Sequence, residues 1–197
     1  QRDWDSIFEL DNFLGANVTM PHKEDLCIRM DKLTDRARKI GAINTIHKKD
    51  GLLIGDNTDA IGFLSTLNQN SIEWLKQPIY ILGAGGAAKA ICYALNSIGV
   101  NSIYVWNRNT ERIQNLNRLV PQVLLWDGNS TLPNDAIIIQ CTPLGQCGED
   151  PLEHHELHST QIVLDLIYYP TPLIKRMQNI GATAIDGMGM LIHQAAH

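Results

Sequence analysis

Residues 79–88 read Ile79-Tyr80-Ile81-Leu82-Gly83-Ala84-Gly85-Gly86-Ala87-Ala88, and this stretch decides the fold. A short apolar run leads into a glycine turn, and an alanine-rich helix start follows. The pattern Gly-x-Gly-x-x-Ala is an accepted variant of the dinucleotide-binding fingerprint, although such turns also have purely structural uses. A residue without a Cβ lets a pyrophosphate approach the main chain, and the helix N-terminus attracts the anion. The candidate cofactor-binding residues of the turn are Gly83, Ala84, Gly85, Gly86 and Ala87.

The next apolar segment, Ser102–Trp106, ends at polar residues that bear on the choice of cofactor. An NAD-binding chain carries an acidic residue about 20 positions after the glycines, to hold the ribose 2′-hydroxyl. Here Asn107 and Arg108 stand at that strand end, 107 − 83 = 24 positions past Gly83. A guanidinium grips a 2′-phosphate with two parallel hydrogen bonds, and Arg112 is expected near the same phosphate. If these arginines are not merely solvated surface charges, the pattern predicts NADP rather than NAD.

Composition excludes several classes of partner. The chain has 197 residues, 44% of them hydrophobic, and a net charge of −5, which argues against a nucleic-acid surface. No stretch approaches the ~20 apolar residues of a membrane span, and no signal peptide is visible. Four scattered cysteines indicate reduced thiols. We therefore expect a cytoplasmic protein that acts on a small molecule.

Alternating strand-like and helix-like segments predict an α/β fold with a mostly parallel sheet. The first unit covers residues 1–57, and its Asp50-Gly51 pair indicates a hairpin turn. We expect the following elements in this unit: strands at Gly15–Thr19, Ala42–His47 and Leu52–Gly55, and one charged helix at Glu24–Ile40.

The second unit covers residues 58–186 and begins with a connecting helix predicted at Thr58–Leu75. Six predicted strands give it the Rossmann-type, doubly wound sheet of a nucleotide-binding domain: Ile79–Leu82, Ser102–Trp106, Gln122–Leu125, Ala136–Cys141, Ile162–Leu166 and Thr183–Ile185. The last segment, Gly187–His197, has helical spacing and is expected to pack back onto the first unit. Ligands of such sheets bind beyond the carboxyl ends of the strands, so the cleft between the units is the expected site.

Polar residues gather at three strand ends of the first unit, in the segments 17–24, 41–45 and 55–59. Such residues often only cap helices and close turns. Three such clusters in one small unit suit a polyhydroxylated ligand, because each hydroxyl needs a donor and an acceptor.

The chain resembles the shikimate dehydrogenases, which form the shikimate/quinate dehydrogenase family. The matching stretches occur in the family order and span nearly the whole chain: Asn17–Lys23, Gly41–Thr45, Asn57–Phe63, Gly83–Ala88, Asn107-Arg108 and Asp186–Ala196. The resemblance implies an incomplete substrate-binding domain over residues 1–57, completed by 187–197, and an NADP-binding Rossmann domain over 58–186.

The resemblance also implies an activity, the reversible NADP-dependent interconversion of 3-dehydroshikimate and shikimate in aromatic amino-acid biosynthesis. By this similarity Lys23 and Asp59 are the catalytic pair. An ammonium beside the carbonyl stabilises the growing oxyanion or supplies the proton, and an adjacent carboxylate orients that ammonium. Sequence leaves open which of the two tasks Lys23 performs.

Other roles are carried over in the same way. The residues expected to hydrogen-bond the substrate hydroxyls are Thr19, Asn44 and Gln194. Tyr168 resembles a residue near the substrate and the nicotinamide. The further cofactor contacts implied by the resemblance are Thr142, Gly187 and Met190, of which Gly187 and Met190 resemble positions beside the nicotinamide end.

The chain departs from the family pattern at Gln140, Gln146 and Tyr169, where the family usually has Asn, Met and Asn. These departures put the local cofactor contacts in question. No stretch before Asn17 resembles the family's serine pair, which holds the substrate carboxylate, and the tail is short. We therefore expect a fragment, or an incomplete form, of a longer protein.

Three alternatives stay open. One is a quinate/shikimate dehydrogenase that uses NAD, and another is a non-catalytic ligand sensor on the same scaffold. The third concerns His154, His155 and His158, whose spacing would suit zinc. No cysteine or further histidine supports that site, so we expect a surface loop and no metal. A homodimer is the candidate assembly of this protein.

Overall fold

A computed structural model describes residues 4–70 and 75–197. The chain divides into two compact units, one up to Thr58 and the other from Asp59 to His197. Within the described ranges, no helix combines the length and the apolar character needed to cross a bilayer.

The first unit is a small four-stranded sheet with short helices. Its elements are α1 (Trp4–Phe8), β1 (Gly15–Asn17), a 3-10 helix (Asp25–Arg29), β2 (Lys32–Leu33), α2 (Asp35–Ile40), β3 (Thr45–Lys49) and β4 (Leu52–Asp56). The strand order is β1-β3-β4-β2, and β3 pairs antiparallel with β4. The predicted hairpin turn is confirmed, since Asp50 and Gly51 both adopt positive φ angles of 52° and 77°.

The prediction of one helix over Glu24–Ile40 is wrong, because two short helices flank an extended segment. Met30 ends the 3-10 helix in an extended conformation, with ψ 135°. The following strand β2 pairs parallel with β4, and Thr34 then caps α2 by accepting a hydrogen bond from the Ala37 N–H. Pairing with the sheet thus outweighs the helical charge pattern of this segment.

The second unit contains the parallel six-stranded sheet. Its elements are α3 (Asp59–Gln69), β5 (Ile79–Leu82), α4 (Gly86–Ser97), β6 (Ile103–Trp106), α5 (Thr110–Leu119), β7 (Val123–Leu125), β8 (Ile137–Gln140), β9 (Ile162–Asp165), α6 (Pro172–Asn179), β10 (Thr183–Ile185) and α7 (Met188–Ala195). The predicted connecting helix begins one residue later than expected and ends at Gln69, since Asn70 already lies in a turn; residues 71–74 of the predicted range lie outside the described part of the chain.

The strand order β10-β9-β8-β5-β6-β7 confirms the doubly wound Rossmann-type sheet. All four residues of β5 and of β8 are buried, as central strands covered on both faces require. The order of connection reverses between β5 and β8. Ligands bind at such a switch point, beyond the carboxyl ends of the strands, and there the glycine turn follows β5.

Helix α7 packs against α3 inside the second unit, at two glycines. A Cβ added to Gly62 would lie 2.8 Å from the Gln194 N and Cβ atoms, and one added to Gly189 would lie 3.3 Å from Thr66. The two helices therefore approach each other more closely than larger residues would allow. That this C-terminal segment also completes the first unit stays a prediction.

Candidate active site

The glycine turn is tied to the end of β6. Gly83 adopts a φ of 108°, which favours glycine, and its N–H donates to the Trp106 carbonyl over 2.7 Å. The Ala84 N–H donates to Asn107 Oδ1 over 3.1 Å. The side chain of Asn107, predicted as a cofactor contact, is thus used to hold the turn against the neighbouring strand.

Gly85 leaves open space beside the start of α4. A Cβ added to Gly85 would meet, within 4 Å, only Nη1 of Arg112, at 3.9 Å. Gly85 is the N-cap of α4, no side chain caps that helix, and its first turn carries no acidic residue. The start of a 12-residue helix therefore faces open space bordered by a guanidinium. This combination suits the phosphates of a dinucleotide.

Arg108 lies just before the N-cap of α5 and Arg112 lies in the first turn of this helix, and both are exposed. Asn109 caps this helix by accepting a hydrogen bond from the Glu111 N–H over 3.0 Å. The predicted placement of Arg112 in the first turn is therefore what the structure has. Glu111 is the acidic residue of that same turn.

Gln140 organises the loop that carries Thr142. Its buried side-chain oxygen accepts hydrogen bonds from the Thr142 N–H and hydroxyl, each over 2.9 Å. Its amide nitrogen donates to the Leu144 carbonyl over 2.6 Å. The Thr142 hydroxyl also accepts from the Leu144 N–H over 3.1 Å. Thr142 therefore uses its hydroxyl inside the loop and turns its methyl group towards Gly83, 3.2 Å from where a Cβ would stand there.

A second loop, after β9, carries Tyr168. This side chain is 54% exposed and contacts the ring of Tyr169 edge-on. The neighbouring Gly187 donates its N–H to the Ile167 carbonyl over 3.0 Å. A Cβ on Gly187 would lie 2.2 Å from the Leu166 carbonyl oxygen, so only glycine fits there. Tyr168 and Gly187, predicted near the nicotinamide, therefore belong to adjoining loops.

Asp59 and Gln194 belong to the paired helices α3 and α7. Asp59 lies in the first turn of α3 and is only 4% exposed. Residues three apart share a helix face, so Asp59 lies on the side of Gly62, which contacts Gln194. The carbonyl oxygen of Met190 touches the same glycine position at 2.8 Å. Three residues with predicted roles thus gather on this helix pair.

The first unit brings Thr19, Lys23 and Asn44 together through its main chain. The Val18 N–H donates to the Asn44 carbonyl over 2.7 Å, and the Ile43 N–H donates to the Lys23 carbonyl over 2.8 Å. Thr19 is exposed, Lys23 is half-buried and Asn44 is buried. The segment with Thr19 and Lys23 therefore runs alongside the segment with Asn44.

Asn44 forms a two-way link with Thr58. Its Oδ1 accepts from the Thr58 N–H, and its Nδ2 donates to the Thr58 hydroxyl, each over 2.9 Å. Both side chains are at most 3% exposed. No role was predicted for Thr58, whose N–H and hydroxyl fix the orientation of the Asn44 amide.

One of the three clustered histidines, His155, has a structural role. His155 Nε2 lies 2.9 Å from the Gly128 carbonyl oxygen, and its ring packs 5.5 Å from that of Trp126. Across residues 4–70 and 75–197, no group of three or more His, Cys, Asp or Glu side chains could hold a metal ion.

Known families match both parts of the chain. The model of the shikimate dehydrogenase substrate-binding domain matches residues 3–46, and that of shikimate/quinate 5-dehydrogenase matches residues 66–147. The shikimate dehydrogenase (NADP(+)) of Rhodospirillum rubrum is 43% identical over 195 residues, covering 91% of this chain and 69% of the relative.

Solved structures agree. Shikimate dehydrogenase from Aquifex aeolicus superposes with a TM-score of 0.83 at 32% identity, covering 97% of this chain and 72% of that one. Shikimate 5-dehydrogenase from Thermus thermophilus, solved with NADP(H) and shikimate, gives 0.80 at 31% identity, covering 94% and 71%. With a relative this similar over more than two thirds of its length, the chain belongs to the NADP-dependent shikimate dehydrogenases.

Proposed function

We propose that this chain catalyses the reversible reduction of 3-dehydroshikimate to shikimate, with Lys23 and Asp59 as the catalytic pair. The glycine turn carries the cofactor part of this proposal, because the space at Gly85 is bordered by Arg112 and faces the uncapped start of α4. A dinucleotide with its diphosphate there and its 2′-phosphate beside Arg108 and Arg112 would satisfy both features.

The chemistry follows from what a ketone reduction requires. NADPH supplies the hydride to the carbonyl carbon. Lys23 acts at the carbonyl oxygen, where its ammonium stabilises the developing negative charge and donates the proton that completes the alcohol. In the reverse direction the neutral amine takes that proton back. Asp59 orients the amine and accepts a hydrogen bond from a substrate hydroxyl.

The remaining polar residues would select the substrate. We assign Thr19, Asn44 and Gln194 to the substrate hydroxyls. Asn44 suits this task because its link to Thr58 fixes which way its amide points. A preorganised donor loses little conformational entropy when the ligand binds. Tyr168, with more than half of its side chain exposed, is assigned to the substrate beside the nicotinamide.

A comparison of cofactors and substrates tests this proposal. Purified protein is mixed with shikimate or quinate and with NADP or NAD, and NADPH or NADH is followed by absorbance. We expect shikimate with NADP to give the highest kcat/KM. A preference for NAD and quinate would favour the alternative dehydrogenase, and Glu111 in the first turn of α5 would then be the residue to examine. Calorimetric binding of shikimate without turnover would indicate a sensor instead.

Two further expectations concern the setting of the enzyme. We propose that it works in the cytoplasm and as a homodimer. Light scattering of the purified protein measures its mass directly, and a mass of one chain at micromolar concentration would contradict the dimer.

A further inference from the structure

Asp165 connects loops that lie apart in the sequence. It is the last residue of β9 and only 1% exposed. One carboxylate oxygen accepts from the Ile167 N–H over 3.1 Å, and the other accepts from the Thr171 hydroxyl over 2.7 Å. The carboxylate therefore closes the loop 166–171, which carries Tyr168, at both of its ends.

Both partners of Asp165 reach other loops. The Ile167 carbonyl accepts from the Gly187 N–H over 3.0 Å, which joins the start of α7 to this loop. Thr171 caps α6 by accepting from the Ile174 N–H. A Cβ on Gly145 would lie 3.2 Å from the Thr171 methyl group and 3.3 Å from Ile167, so the Thr142 loop also packs here.

Because the Asp165 carboxylate is buried, losing its hydrogen-bond donors would cost free energy. Burial raises the pKa of Asp165, the hydrogen bonds from Ile167 and Thr171 lower it, and the negative charges of Asp150 and Asp186 add to the rise. Asp150 is itself paired with Arg176, and Asp186 accepts from the Met188 N–H. A buried acid of this kind must keep its donors in place, and those donors belong to the loops.

We propose that Asp165 is a positioning residue for the nicotinamide end of the site, because it fixes the loops of Tyr168, Gly187 and Thr142 relative to one another. This inference rests on the proposed function, which places the nicotinamide beside Tyr168. It predicts that loss of the carboxylate affects the nicotinamide half of the cofactor while leaving the half held by the glycine turn and the arginines unaffected.

The test compares two ligands in Asp165→Asn. This variant keeps the shape of the side chain and one oxygen acceptor but loses the second. By calorimetry, we expect the Kd for NADP to rise about tenfold, as for a lost hydrogen bond to a charged group. The Kd for 2′,5′-ADP, which lacks the nicotinamide, should stay within about twofold, since this change is below the scale of one hydrogen bond. In turnover, kcat should fall about 10- to 100-fold, as expected for a misplaced reactant.

Gln161→Leu is the matched control, because Gln161 is a fully buried polar residue just before the other end of β9. Its side chain donates to the Pro133 carbonyl and accepts from the His158 N–H, each over 2.9 Å. This variant should lower the melting temperature and leave both Kd values unchanged. If Asp165→Asn behaves in the same way, or weakens both ligands equally, the inference is wrong.

A second pair of variants covers the case in which Asp165→Asn does not fold. Thr171→Ser keeps the hydroxyl that donates to Asp165, and Thr171→Val removes it. The valine variant should bind NADP more weakly but 2′,5′-ADP as the wild type does, and the serine variant should bind both ligands like the wild type. Equal Kd values for the two variants would contradict the inference. If the wild type binds neither NADP nor 2′,5′-ADP, the proposed function itself fails.

Discussion

Arg108 and Arg112 determine the proposed preference for NADP over NAD. Replacing Arg108 or Arg112 with Ala removes a charge-assisted hydrogen bond to the 2′-phosphate, an interaction of about 1.5–3 kcal/mol. We expect the Kd for NADP to rise about 10- to 100-fold while that for NAD, which has no such phosphate, stays the same. Binding calorimetry with both cofactors measures the difference.

Arg118→Ala is the control for this experiment, because Arg118 is exposed on the same helix and bonds to Asn115. It should leave the affinity for both cofactors unchanged. An equal loss of NAD and NADP affinity in the Arg108 and Arg112 variants would show that these residues stabilise the structure and do not bind the 2′-phosphate.

Asp56 links the end of β4 to α2 and makes the stability of the first unit depend on pH. Burial tends to raise the pKa of Asp56, but hydrogen bonds from Arg36, Thr34 and the Asn57 N–H outweigh this effect and lower it below 3.8. A carboxyl group whose pKa is lowered by folding stabilises the folded state at pH values above its ordinary pKa. This stabilisation is lost as the pH falls through the folded value.

The expected result is a loss of about 2 kcal/mol of unfolding free energy in Asp56→Asn at neutral pH. Below the folded pKa the difference from wild type should shrink, because the wild-type carboxyl is then neutral as well. Urea unfolding at neutral and strongly acidic pH measures both values. A difference that stays constant with pH would contradict the assigned cause. Asp31→Asn, which changes an exposed carboxylate bonded to the Leu53 N–H, serves as the control.

The sequence predicts the candidate site residues that belong to a recognisable motif. It does not predict those whose role comes from contacts between loops. The glycine turn and Arg112 follow from local spacing, and the structure places them at the start of α4 and α5. Local spacing predicts no role for Asp165, and Gln140 stands out only as a departure from the family pattern. They are the polar last residues of β8 and β9, and their importance comes from hydrogen bonds to loops that sequence periodicity does not describe.

Among the elements, the strands of the second unit were predicted most closely. The observed β5 and β10 have the predicted bounds, and β6, β7, β8 and β9 are each only one or two residues shorter. Apolar, β-branched runs between polar loops explain this success, since buried parallel strands have that composition. The first unit was predicted less well: α1 and β2 were missed, and the strand predicted at Ala42–His47 is observed at Thr45–Lys49. The signal that divides the expected helix is Thr34, an N-cap residue inside an apparently helical segment.

The contact between α3 and α7 depends on a glycine. Alanine normally stabilises a helix relative to glycine, but a methyl group at Gly62 would lie 2.8 Å from the main chain of α7. We therefore expect Gly62→Ala to lower the unfolding free energy by about 1–3 kcal/mol, the usual cost of overpacking. Chemical denaturation of the purified variant measures this change.

Gly189→Ala tests the same interface more mildly, because its methyl group would meet the Thr66 side chain at 3.3 Å. A small adjustment of that side chain relieves the contact, so the loss should be smaller than for Gly62→Ala. If Gly62→Ala stabilised the protein, helix propensity would dominate and the close approach of the two helices would be wrong. The placement of Gln194 beside α3 would then be wrong too.

For the whole molecule, the doubly wound parallel sheet agrees with what alternating strand-like and helix-like segments predict. The proposed catalytic pair is divided between the units, since Lys23 belongs to the first and Asp59 to the second. The central claim of the proposed function is that the two residues act jointly, with Lys23 at the carbonyl oxygen and Asp59 orienting the Lys23 amine. If they act as one device, the double variant should lose little more activity than either single variant.

The most direct test is shikimate-dependent formation of NADPH by wild type, Lys23→Ala and Lys39→Ala, with the NADP Kd of each measured in parallel. Lys39 is an exposed lysine of the same unit and serves as the control. We predict that Lys23→Ala loses about 10²- to 10⁴-fold in kcat, the usual contribution of proton transfer, while its affinity for NADP is unchanged. A Lys23→Ala enzyme as active as the Lys39→Ala enzyme would contradict the assignment.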